Sequence, residues 1–125
     1  MVELGKKFIL NKIWRNMIYD FSVQEPYKSF LLNWQKTIEW RLNKWKFKML
    51  KAGDILKLDT WEKFEVLRKT EYKSFFEMME VEWIEKVLPD FESIQDWVEK
   101  VYYKFYSKEL EKKFGVVAVE IKLIK

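Results

Sequence analysis

The chain has 125 residues, enough for one domain with a real core and too few for two full ones. It contains no cysteine and no histidine, which excludes disulfides, thiolate nucleophiles, Ser-His triads and His- or Cys-ligated zinc. A net charge of +4 suits an anionic partner but falls far short of a histone-like stripe.

Hydrophobic residues make up 49% and charged residues 35%, the balance of a folded chain and not of a disordered one. Richness in Lys, Glu and Ile points to a thermophile or to an AT-rich genome. No apolar run approaches the ~18 residues of a membrane span. The opening "MVELGKKFILNKIW" carries early lysines, and its apolar stretches are too short and broken for a secretory leader. A cytoplasmic protein is expected. Residues 1–16 show no clear period and read as an N-terminal extension of unclear role, leaving 17–125 as the domain.

"NMIYDFSV" is rich in strand formers, with Ile18, Asp20 and Ser22 opposing Met17, Tyr19, Phe21 and Val23. Pro26 stands where a helix can begin, and Tyr27, Phe30, Leu31 and Trp34 then share one helical face. In "KTIEWRL", Ile38, Trp40 and Leu42 alternate with Thr37, Glu39 and Arg41, the period of a strand with one buried and one polar face. A turn at Ala52-Gly53-Asp54 precedes a strand carrying Leu56 and Leu58. "KFEVLRKTEY" reads as another strand.

Ser74 with Glu77 forms a capping box for a helix whose Phe75, Met79, Trp83 and Val87 recur every four residues up to Leu88-Pro89. Ser93 with Asp96 opens a second helix, running through Ile94, Trp97, Val98, Val101, Tyr102 and Phe105. Ser107 recaps a short last helix that Gly115 ends. "VVAVEIKLIK" is the clearest strand of all, Val117, Val119, Ile121 and Leu123 alternating with Ala118, Glu120 and Lys122. Strand, helix, three strands, helices, strand is an α+β order, a small mixed sheet or partly closed barrel with helices at its side or end.

Three charged residues stand out. Glu39 and Arg41 leave one strand face roughly 6–7 Å apart, and Lys36 curls over the same region from just before the strand. Arg41 offers a planar fork for a phosphate or a base edge. Lys36 offers a compact charge for a phosphate, or a base if it is desolvated. Glu39 accepts hydrogen bonds from an exocyclic amine or a ribose hydroxyl, and it can hold Arg41 in place. The plainer account is a solvated strand face with a surface ion pair worth about 0–1 kcal/mol. Next door, "NKWKFK" interleaves Lys44, Lys46 and Lys48 with Trp45 and Phe47, a pattern suited either to packing or to backbone contacts plus base stacking. No P-loop, dinucleotide fingerprint or metal-ligand grouping is present, so neither metal nor cofactor is expected.

"QKTIEWRLN", "LKAGDILKL", "YKSFFEM" and "YSKELEKKFGVVAVEIK", in that order, resemble the ASCH domain family of the PUA-like superfamily of small β-barrels. Lys36, Glu39 and Arg41 match that family's G-x-K-x-x-E-x-R element, with Trp34 in the glycine place. Gly53-Asp54 matches its G-D, and Tyr106, Glu111 and Gly115-Val116 match its late elements. The resemblance implies a PUA-like mixed β-barrel and an RNA- or nucleotide-binding role in a cleft around Lys36, Glu39 and Arg41, flanked by Lys44, Trp45, Lys46, Phe47 and Lys48. Some members of the family look like ribonucleases or acetylcytidine amidohydrolases. For this chain that alternative would use Lys36, Thr37 and Glu39, although the threonine of the amidohydrolases falls at Glu39.

Overall fold

A computed structural model describes residues 17–82, Lys86 and residues 107–125. Along the chain the described elements are β1 (Ile18–Phe21), α1 (Tyr27–Leu32), β2 (Ile38–Leu42), α2 (Trp45–Met49), β3 (Ile55–Leu58), β4 (Lys63–Tyr72), α3 (Phe75–Val81), α4 (Lys108–Phe114) and β5 (Val116–Ile124). The five strands form one mixed sheet in the order β1-β3-β4-β5-β2, with β1 and β3 parallel and the other neighbours antiparallel. No helix among the described residues is long and apolar enough to cross a membrane.

The α+β class and the final long strand are as expected; a closed barrel is not what forms. β1 pairs only with β3 and β2 only with β5, so the sheet keeps two edges. Those edges face each other across an unpaired seam, because Arg41 on β2 reaches the carbonyl of Ser22 just past β1. Inside the curl, Phe21, Phe64, Val66, Val117 and Val119 pack with Leu31 of α1 and Phe47 of α2. The outer face carries Ile38, Trp40 and Leu42, with the Trp40 ring edge-on to Phe75 of α3 at 5.0 Å.

Two local features decide which side chains face which layer. A β-bulge in β4 breaks the pairing with β5 between Val66 and Arg68. Val66 belongs to the inner core, and after the bulge Arg68, Thr70 and Tyr72 pair with Glu120, Ala118 and Val116 on the outer face. A one-residue slip reverses a strand's sides, so strict alternation would have driven Arg68 into the apolar interior. Gly115 joins α4 to β5 at φ 74°, ψ −173°, a region that is essentially glycine's alone.

The capping signals behave as expected. Ser74 Oγ accepts from the Glu77 N–H and Ser107 Oγ from the Leu110 N–H, each at 3.1 Å. The helix opened by Ser74 is shorter than its four-residue period suggests. It stops at Val81, because Glu82 takes an extended conformation and turns its carboxylate to β4. Trp83, Val87, Leu88-Pro89, the helix expected from Ser93 to Phe105, and residues 1–16 lie outside the described residues. Among the described residues one helix went unforeseen: "WKFKM" makes the single turn of α2, too short to show an apolar period.

Candidate functional site

The loop between α1 and β2 sets up the site. The Lys36 N–H donates to the Phe30 carbonyl at 2.9 Å, which folds the chain back from the helix to the strand. Trp34 makes that reversal with φ 71°. Glycine adopts this left-handed backbone freely and other residues pay about 1–2 kcal/mol for it. That accounts physically for glycine at this place in the resembled family, although here it is a tryptophan, 44% exposed, with the Lys125 ammonium 6.0 Å from its ring.

β2 then delivers the charged residues inward. Glu39 and Arg41 pair with Val119 and Val117 of β5, and paired residues of an antiparallel ladder share a face. Since both valines belong to the inner core, the polar side of β2 is the inside of the curl and not a solvated exterior. Both sides of this strand are buried, which period two alone did not disclose.

Lys36, Glu39 and Arg41 do come together. Lys36 Nζ lies 3.4 Å from Glu39 Oε1 and donates to the Ile38 carbonyl. Arg41 Nη2 lies 3.0 Å from Glu39 Oε2 and donates to the Ser22 carbonyl at 2.6 Å. Glu39 Oε1 also accepts the Trp40 N–H at 3.1 Å. Lys36 and Glu39 are 2% and 3% exposed, so this is a buried ion triad and not a surface pair. Burial pushes the Glu39 carboxyl up, yet the flanking Lys36 and Arg41 charges outweigh it and hold the group below the ordinary carboxylate value. The Arg41 guanidinium is further gripped between rings, 4.9 Å from the Phe47 centroid and 5.9 Å from Phe21.

Arg41 is the member that meets solvent. A cleft of about 200 Å³ opens at the seam, lined by Ser22, Val23, Gln24, Tyr27, Glu39, Trp40 and Arg41. That is smaller than the roughly 300 Å³ at which drug-sized pockets begin, a space for one base or one sugar. Arg41 makes both of its hydrogen bonds through Nη2, leaving Nη1 and Nε without a partner among the described residues. The Glu39 oxygens are already engaged, so this carboxylate aims Arg41 more than it meets a ligand itself. Sequence reasoning missed Ser22, Val23, Gln24 and Tyr27, because nothing in their local pattern marks them; only the return of β1 to β2 makes them a wall.

The remaining expected residues are distributed unevenly. Lys36 and Thr37 do not line the cleft. The backbone of Thr37 is occupied by structure, its N–H on the Lys86 carbonyl and its own carbonyl on the Ile121 N–H, both at 2.9 Å. Trp45 and Phe47 part company because they sit two apart on a helix, where side chains diverge. Phe47 is buried against Arg41, whereas Trp45 is 76% exposed. Lys44 places its ammonium 4.1 Å from the Trp45 ring, Lys46 donates to the Asp20 carbonyl, and Lys48 is exposed. Among the described residues no three carboxylates converge as metal ligands.

Of the other matched residues, Tyr106 lies outside the described residues, while Asp54 and Glu111 have structural work to do. Asp54, 1% exposed, accepts from the Met17 and Lys51 N–H groups at 3.1 and 2.9 Å, tying the start of β1 to the turn before β3. Glu111 accepts the Phe75 N–H at 2.9 Å and so caps α3 from α4. On the outer face a second polar cluster was not foreseen. Arg68 grips Glu82 with both terminal nitrogens at 2.8 and 3.1 Å, and Tyr72 donates to Glu82 at 2.5 Å. Burial and the Glu82 carboxylate push the Tyr72 phenol up to about 12. Its members come from β4 and from beyond α3, so spacing along the chain does not reveal it.

Two solved structures are similar to this chain. The crystal structure of hypothetical protein PH0355 is 42% identical, with a TM-score of 0.82 over 86% of this chain and all of that one. The solution NMR structure of protein PF0455 from Pyrococcus furiosus is 37% identical, with a TM-score of 0.75 over 87% of this chain and 99% of that one. The chain belongs to the same protein family as these two. No family model and no curated protein matches it.

Proposed function

We propose that this protein binds RNA or a nucleotide, as an ASCH-like member of the PUA-like superfamily, and holds one base or ribose in the cleft at the β1–β2 seam. The observation that carries the reading is Arg41. It lines a base-sized cleft beside the Tyr27 ring, is held in place by Glu39 and Ser22, and keeps donors unused among the described residues. A fixed guanidinium edge matches the acceptor pairs of a base or a phosphate, and an aromatic wall suits the flat face of a base. Lys36 neutralises the buried Glu39 that aims Arg41, a supporting part rather than a ligand contact.

The hydrolase alternative asks for Lys36 or Thr37 beside the bound substrate, and neither lines the cleft. Binding without turnover is therefore the reading we favour. Amide-resolved NMR with short single-stranded RNAs and, separately, cytidine-type nucleosides tests it. Shifts at Ser22–Tyr27 and Glu39–Arg41 that vanish in Arg41→Ala support the cleft. Silence there with every RNA and nucleoside would overturn it.

A further inference from the structure

We propose that the cleft is one half of a two-nucleotide site, and that the exposed ring of Trp61 stacks the base next to the one held at Arg41. This rests on the RNA-binding reading above and names its substrate: a single strand of at least two nucleotides, not a free nucleoside.

Trp61 lies in the turn between β3 and β4, where its N–H closes the bend on the Leu58 carbonyl at 2.9 Å. Its φ is 79°, a conformation that favours glycine or asparagine, and the residue is 76% exposed. Neither the backbone nor burial gives folding a use for tryptophan here. A large flat ring held out in solvent at a conformational cost is what a stacking platform needs.

The ring is connected to the cleft. Lys57 sets its ammonium 4.2 Å from the Trp61 centroid and 3.4 Å from Asp20 Oδ1, and Lys46 bonds the Asp20 carbonyl. Asp20, Ser22, Lys46 and Lys57 line a second, more open hollow of about 380 Å³, which Trp61 adjoins through Lys57. Ser22 is the shared wall: it also lines the cleft, and its carbonyl is the one Arg41 holds. A strand with one base at Arg41 and the next on Trp61 would carry the linking phosphate across Lys46 and Lys57. Asp20 and Asp59 also face this hollow, and Lys28 lies 3.8 Å from Asp59, so local charge nearly cancels. Stacking therefore supplies the gain, and its salt dependence is shallow.

Trp45 provides the internal control. It is equally exposed, with φ 55°, and Lys44 lies 4.1 Å from its ring much as Lys57 lies over Trp61, but Lys44, unlike Lys57, lines neither hollow.

The test is affinity for adenosine and cytidine 5′-monophosphates against the trinucleotides ApApA and CpCpC. The intact protein should bind a trinucleotide between about fivefold and a hundredfold more tightly than its mononucleotide, the yield of one base–aromatic stack. Trp61→Asn, which suits the left-handed backbone and so keeps the fold, should erase that gain while leaving mononucleotide affinity unchanged. Trp61→Phe should restore most of it, Trp45→Asn should leave it intact, and Arg41→Ala should weaken both ligands. Equal affinity for mono- and trinucleotides, or a gain that survives in Trp61→Asn, overturns this inference and leaves the cleft standing. No binding of any of the four probes overturns both.

Discussion

Arg41 Nη2 lies 3.0 Å from Glu39 Oε2, and that contact directs the guanidinium across the open seam to the Ser22 carbonyl. One ion pair thus does two things: it bridges edges that the backbone leaves unpaired, and it fixes the donor that faces the cleft.

Arg41→Lys keeps the charge but loses the fork and the grip between Phe21 and Phe47. We expect about 1–2 kcal/mol of destabilisation and roughly tenfold weaker nucleotide binding. Chemical denaturation and calorimetric titration of the same samples check this. Unchanged binding would remove Arg41 from the site.

Lys36→Met leaves the Glu39 carboxylate buried beside one cation instead of two. Stranding a buried charge costs about 3–5 kcal/mol. Adding Glu39→Gln removes the stranded charge, so the double variant should be more stable than the sum of the two single losses predicts. Additive losses in the double-mutant cycle would mean that the pair is not coupled.

Stability should fall in acid and again in strong alkali. Glu39 and Glu82 are both held below the ordinary value of 4.5, so their contribution is complete above that pH and is lost as the pH drops through their folded values. Tyr72 is displaced the other way. Its contribution is complete below 10.0 and disappears as the pH rises from there towards about 12. Urea midpoints across pH should show both limbs, with the acid limb shallower in Glu39→Gln and the alkaline limb shallower in Tyr72→Phe.

Gly115→Ala should destabilise by about 2 kcal/mol or more. A Cβ there would sit 2.9 Å from the Tyr72 carbonyl oxygen, in a backbone conformation that alanine avoids. A thermal midpoint within error of the parent protein would contradict this.

Much of the architecture was legible in the residues. Period two marked β2, β4 and β5, and side-chain caps at Ser74 and Ser107 marked two helix starts, because such signals act between residues a few positions apart. The short helix α2 was not legible. Five residues give no helical period, and their alternating Lys and aromatic residues look the same whether Phe47 points in or out. The bulge at β4 and the early end of α3 were hidden for a related reason: each is settled by what Arg68 and Glu82 find opposite them.

The candidate site divides the same way. Lys36, Glu39 and Arg41 were visible as a group, since a strand must place its i and i+2 residues on one face. Whether that face met water or the core depended on how far the sheet curled, and hence on β1 returning beside β2 from 17 residues earlier in the chain. The cleft wall from Ser22 to Tyr27 followed from that return. Local chemistry sets which groups can act; long-range packing sets which of them meet, because contacts between distant segments leave no periodic trace in the chain.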